Sequence, residues 1–163
     1  MLLILFSHAN DYKNIPYQSG TESASKTYSV KIYFSKHPDS DNHPTRTFPV
    51  YRTSPNSGVA RFSLTQLIAG PTSSEKASGY FTDFKLEGQS NCSGSDFTIS
   101  ISSGIATVQF CRDVSSPGEL ADARMKAETE ATLGQFSEIT KVIVLNKGYH
   151  CLFDLSGMDL CKK

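Results

Sequence analysis

A single stretch limits the folds open to this chain: Gly58 to Thr72, GVARFSLTQLIAGPT, reads as a helix with a definite end. Val59, Phe62 and the pair Leu67/Ile68 recur at helical spacing, and Leu64 widens the apolar stripe. Gly70 supplies the left-handed residue that ends many helices, and Pro71 forbids continuation. A helix stopped this firmly fixes where the next strand begins.

At 163 residues the chain suits one domain, large enough to bury a core without metal or cofactor. Its hydrophobic fraction of 38% is somewhat low, so part of it is expected to be tail or loop. Sixteen Lys and Arg balance sixteen Asp and Glu, leaving no net positive field for nucleic acid or anionic lipid. Beyond the start, no stretch approaches the roughly 20 apolar residues of a membrane span.

The chain starts MLLILFSHAN, an apolar run from Leu2 to Phe6 followed by the small-x-small pattern Ser7-His8-Ala9 of a signal-peptidase site. The run is shorter than the roughly 7–15 residues of a signal h-region, and no basic residue precedes it. Residues 1–9 therefore read as a truncated signal peptide, with an ordinary apolar N-terminus as the alternative. Residues 10–27 are polar, rich in Ser and Thr, and without hydrophobic period, as in a flexible linker.

The folded unit is expected over 28–163. Tyr28 to Ser35 alternates strictly, with Tyr28, Val30, Ile32 and Phe34 on one face, as a half-buried strand does. KHPDSDNHPT follows as a loop. His37, Asp39, Asp41 and His43 lie within it, but a calcium loop would need Gly and Glu where Pro44 and Val50 stand. No metal is expected there. Phe48 to Arg52 forms a short strand that Pro49 confines to an edge or a strand start.

Gly79 to Leu86 holds another extended piece, before the loop EGQSNCSGS with its glycosylation pattern Asn91-Cys92-Ser93. Phe97, Ile99 and Ile101 then alternate with polar residues, as do Ala106, Val108 and Phe110, with Ser103-Gly104 as a two-residue hairpin turn between them. Ser116-Pro117-Gly118-Glu119 predicts a capping box with Pro at the first helical position. The alanine-rich helix after it runs to about Leu133, with Leu120, Met125, Leu133 and Phe136 filling the space its alanines leave. Lys126 and Glu130 form an exposed pair of no functional weight. Lys141 to Asn146 is apolar on both faces, which predicts a central strand.

The four cysteines allow three pairings. Cys92 precedes one hairpin strand and Cys111 ends the other, while Cys151 and Cys161 flank a short terminal loop. These positions favour Cys92 with Cys111 and Cys151 with Cys161, each stabilising by about 3 kcal/mol on the disputed chain-entropy model. The alternatives are unrelated buried thiols or a zinc site, which the absence of C-x-x-C disfavours. Two disulfides imply an oxidising compartment.

In this order, KIYFSK, FPVYR, VARFSLTQLIAGPT, the hairpin ending ATVQF, ATLGQF and KVIVLN, the sequence resembles the GerMN domain of bacterial sporulation and spore-germination proteins over about Val30 to Gly148. The helix ending in LIAGPT is the most specific part. The resemblance implies an α+β fold, a small mixed β-sheet with two helices packed on one face, related to the ring-building motifs of envelope assemblies. It implies an exported, extracytoplasmic, non-catalytic module without cofactor, whose partners are envelope proteins, other copies of itself, or peptidoglycan. Typical members carry a lipoprotein cysteine and often an immunoglobulin-like domain. This sequence departs from that pattern, and its tail GYHCLFDLSGMDLCKK resembles versions from bacteria that do not sporulate.

Arg52 and Arg61 are the basic residues nearest the matching motifs. They are the candidate interaction surface, for an acidic patch or a wall polymer, against the plainer reading of solvated side chains or ordinary salt bridges. Glycine-rich phosphate loops, H-E-x-x-H and G-x-S-x-G are absent. His150, Asp154 and Ser156 supply the residue types of a triad, but their setting in a short loop reads more simply as a turn.

Overall fold

The computed structural model describes residues 26–163, so the expected signal remnant and nearly all of the linker lie outside the described residues. In chain order the elements are β1 (Tyr28–Lys36), α1 (Asp39–Asn42), β2 (Phe48–Ser54), α2 (Val59–Ala69), α3 (Ser73–Ala77), β3 (Tyr80–Phe81), β4 (Lys85–Glu87), β5 (Phe97–Ser102), β6 (Ile105–Phe110), β7 (Asp113–Ser115), α4 (Glu119–Gly134) and β8 (Lys141–Leu145). A short 3-10 turn closes the chain at Leu160–Lys162. The class is α+β. Among the described residues the strands form three ladders, β2-β1-β3, β4-β7 and β5-β6-β8, and only β6 and β8 pair in parallel. The two long helices, α2 and α4, pack on each other and on β1.

The alternation of β1 does what it predicts: Val30, Ile32 and Phe34 are buried. They meet Leu64 and Leu67 of α2, Met125 and Leu133 of α4, and Val108 and Phe110 of β6 in one core. Full burial of each such side chain stabilises by about 1.5–3 kcal/mol. The face that α2 buries is Ala60, Ser63, Leu64 and Leu67, while Val59, Phe62 and Ile68 pack half-buried at its margins. Gly70 ends α2 at φ 82°, ψ 177°, a region open essentially to glycine alone, and its N–H donates to the carbonyls of Gln66 and Leu67. Ser103 and Gly104 both have positive φ, which matches the twist a two-residue hairpin needs.

Three local expectations are corrected. The capping box expected at Ser116–Glu119 does not form. Gly118 caps α4 at φ 132° without a side-chain bond, Pro117 stays outside the helix, and Ser116 Oγ turns back to Gly118. A capping box does form at α3, where Thr72 and Glu75 bond reciprocally. Leu120, expected in the core, is 59% exposed, because α4 turns Ala121, Met125, Glu128, Thr129 and Thr132 inward instead. Finally, β8 is not central. It ends the β5-β6-β8 ladder. Both its faces are apolar because both are covered: Val142 and Val144 pack on the main core, Ile143 and Leu145 on Cys151.

The hairpin brings Cys92 and Cys111 together as a disulfide, and Cys151 and Cys161 form the second. Bridges of this kind belong to proteins of oxidising, non-cytoplasmic compartments. Among the described residues no helix is long and apolar enough to cross a membrane.

Candidate functional site

The two arginines of the predicted surface have separate surroundings. Arg52 on β2 holds Glu75 of α3 by two hydrogen bonds of 2.7 Å, and both side chains are only 17% exposed. A third bond runs to the Tyr51 carbonyl at 3.1 Å. The Arg52 hydrogen bonds, helped by those from Thr72, pull the Glu75 carboxyl down to about 2 against the cost of burial. Arg52 thus clamps β2 to the capping box of α3.

Arg61, on the exposed side of α2, lies 5.4 Å from the ring centroid of Phe97 and reaches its carbonyl at 3.5 Å. It opens onto a polar cleft of about 520 Å3 with Thr65, Ser95, Asp96 and Arg112. Arg112 is engaged there, donating to the Gly88 carbonyl at 3.0 Å and to Asp96 at 3.2 Å.

The C-terminal loop places Ser156 against Asp154, whose other oxygen accepts the Leu160 N–H at 2.7 Å. These bonds, the Ser156 hydroxyl first, hold the Asp154 carboxyl below its ordinary range. His150 instead faces Asp159 at 3.2 Å, so the three triad-type residues are not aligned with one another. Asp159 also takes the Lys162 ammonium and the Cys151 N–H, and sits at about 2. Near the N-terminal end, His37 bonds Asp41 at 2.8 Å and stacks on Phe81, while Asp39 faces Arg46. These contacts fold the loop around α1.

A groove of about 630 Å3 lies between α4, β8 and the disulfide-closed tail. Its apolar lining includes Ile139, Val142, Val144, Phe153 and Leu160, with Lys126, Glu130 and Lys141 among its polar residues. The tail beside it carries Tyr149, Leu155, Met158 and Leu160 at 63%, 69%, 63% and 45% exposure.

No family model matches the chain, and no curated protein matches it. Among solved structures it is similar to the tandem GerMN domains of the sporulation protein GerM from Bacillus subtilis. The identity is 18% over 85% of this chain, with a TM-score of 0.44. The chain spans 48% of the length of that structure.

Sequence reasoning missed a polar seam. On the side of β1 away from β2, which β3 pairs only at Ser35 and Lys36, the N–H groups of Lys31, Tyr33 and Ser35 donate to Gln135 Oε1, Thr132 Oγ1 and Glu128 Oε1, at 2.8, 3.0 and 2.8 Å. Gln135 also returns a hydrogen bond to the Lys31 carbonyl at 2.7 Å. Side chains from and just beyond α4 thus stand in for a neighbouring strand. Glu128 is fully buried, accepts the Thr82 hydroxyl at 2.6 Å, and is pushed up to about 7, chiefly by burial. The signal was the spacing of Glu128, Thr132 and Gln135, which repeats at helical period like any apolar stripe.

Proposed function

We propose that this chain is a non-catalytic interaction module of the bacterial cell envelope, of GerMN-like type, acting outside the cytoplasm. The observation that carries the reading is the tail: Leu155, Met158 and Leu160 stand largely exposed on the loop closed by Cys151–Cys161, with Tyr149 exposed just before it. Exposed apolar side chains on a braced loop are the features of a contact surface. The order of motifs that resemble the GerMN domain, and the two disulfides, support an extracytoplasmic setting.

The test is capture of envelope proteins on immobilised full chain, wild type beside the double variant Leu155→Asp/Met158→Asp. A protein retained by the wild type and lost with the variant, at unchanged melting temperature, is the expected result. Equal recovery on both would overturn the reading.

The polar cleft at Arg61 favours a second reading, recognition of a wall polymer. Its mixed donors and acceptors suit a chain of hydroxyl, amide and carboxylate groups. Co-sedimentation with purified peptidoglycan, lost in Arg61→Glu, would select it over the first. No sedimentation above a control protein would remove it.

A further inference from the structure

The groove beside the tail has a backbone floor. In β8, the Lys141 N–H donates to the Gly104 carbonyl, towards β6, so alternate residues point the other way. On that outer side the tail pairs with the last part of the strand: Leu152 N–H bonds the Val144 carbonyl at 2.8 Å, and Asn146 N–H bonds the His150 carbonyl at 2.8 Å. There the pairing stops. After Leu152 the chain turns away from β8, and Asp154 ties down the loop that follows. The Val142 N–H and C=O and the Val144 N–H face outward with no hydrogen-bond partner among the described residues. Val142 and Val144 line the groove.

From this open edge we infer that the groove takes an extended peptide of a partner protein, added as a strand along Lys141–Val144. The inference rests on the interaction-module reading and gives it a site and a partner class. Strand addition supplies the missing backbone partners, and specificity comes from alternate side chains. The wall opposite the edge offers Phe153 and Leu160, which suit an apolar residue. On the rim Lys126 stands against Glu130, while Lys141 Nζ is held by the Lys163 main-chain oxygen at 2.6 Å and the Asp154 carboxylate by its own loop, so the lining carries no net bias of charge. The matching peptide is therefore extended, with apolar residues at alternate positions. At about 3.3 Å per residue, four residues of edge accommodate a segment of roughly 13 Å.

The experiment uses the full disulfide-intact chain and a displayed library of random decapeptides. The best binder is then made synthetically and added to isotope-labelled protein. The expected peptide carries apolar residues at alternate positions and slows hydrogen exchange of the Val142 and Val144 amides at least tenfold. N-methylation at alternate peptide amides should weaken binding at least tenfold. Binders that leave those two amides unchanged would overturn the site, as would a library that yields none. Concentration-dependent protection of the same amides without peptide would also overturn it, since a second copy would then be the occupant. Envelope capture that still depends on Leu155 and Met158 in any of these cases would show that only the site has failed and the interaction reading stands.

Discussion

Two strand edges in this molecule are treated in opposite ways. The edge of β1 away from β2 is closed by β3 at its end and by side chains along the rest: Glu128, Thr132 and Gln135 each accept one of its N–H groups. The edge of β8 is closed only at its end, by Cys151 and Leu152, and is left open at Val142. An uncovered edge invites pairing with other chains, and folded proteins commonly cover it. The contrast indicates that burial decides the treatment. The β1 edge lies beneath α4, where an unpaired N–H costs about 1–3 kcal/mol, whereas the β8 edge borders an open groove that water can enter.

Breaking the closed edge at its most buried point has the largest effect. Glu128→Ala strands the Ser35 N–H and the Thr82 hydroxyl and leaves a void. It should cost about 3–5 kcal/mol in denaturant unfolding, with the native fold retained at low temperature.

The pH dependence sharpens the same point. Glu128 is raised from 4.5 to about 7, so below about 4.5 it is neutral in both folded and unfolded chain and its contribution is fully present. Between about 4.5 and 7 the unfolded chain releases this proton first, and stability falls, on the order of 3 kcal/mol at 1.36 kcal/mol per unit. Glu128→Gln should flatten that limb of a stability–pH curve. An unchanged limb would assign it to other groups. The Arg52–Glu75 clamp runs oppositely: its contribution is present above 4.5 and is lost as pH falls towards about 2.

Thr132→Val, nearly isosteric, orphans the Tyr33 N–H and should cost about 1–2 kcal/mol. The smallest effect needs no mutation. In native-state hydrogen exchange the Tyr33 amide should be among the slowest and the Val142 amide far faster, although both belong to regular strands.

Much of the frame could be read from residue order. The β1 alternation, the stop at Gly70, the Ser103-Gly104 turn and both cysteine pairs are local patterns with local causes. Pro49 is an instructive case. Its position in β2 faces away from β1, as shown by the opposed pairing with Tyr33, whose N–H turns to Thr132, so the donor it lacks is not needed.

What could not be read depends on neighbours distant in sequence. Apolar residues on both faces of β8 predict two covered faces, and they say nothing about how many strands flank it. Glu128, Thr132 and Gln135 look like a solvated face until β1 lies beside them. For Arg52 the sequence leaves an ordinary salt bridge open without naming its partner, because Glu75 is brought to it only by the fold.

The seam has a further consequence, in the order of events during synthesis. The residues it joins are 93 to 104 positions apart, so β1 and β2 leave the ribosome long before α4 exists. Until then a paired hairpin with one uncovered side must wait. A nascent chain arrested before Glu128 therefore exposes the Lys31–Ser35 edge to any strand it meets. The cover arrives only once α4 and Gln135 have themselves left the exit tunnel.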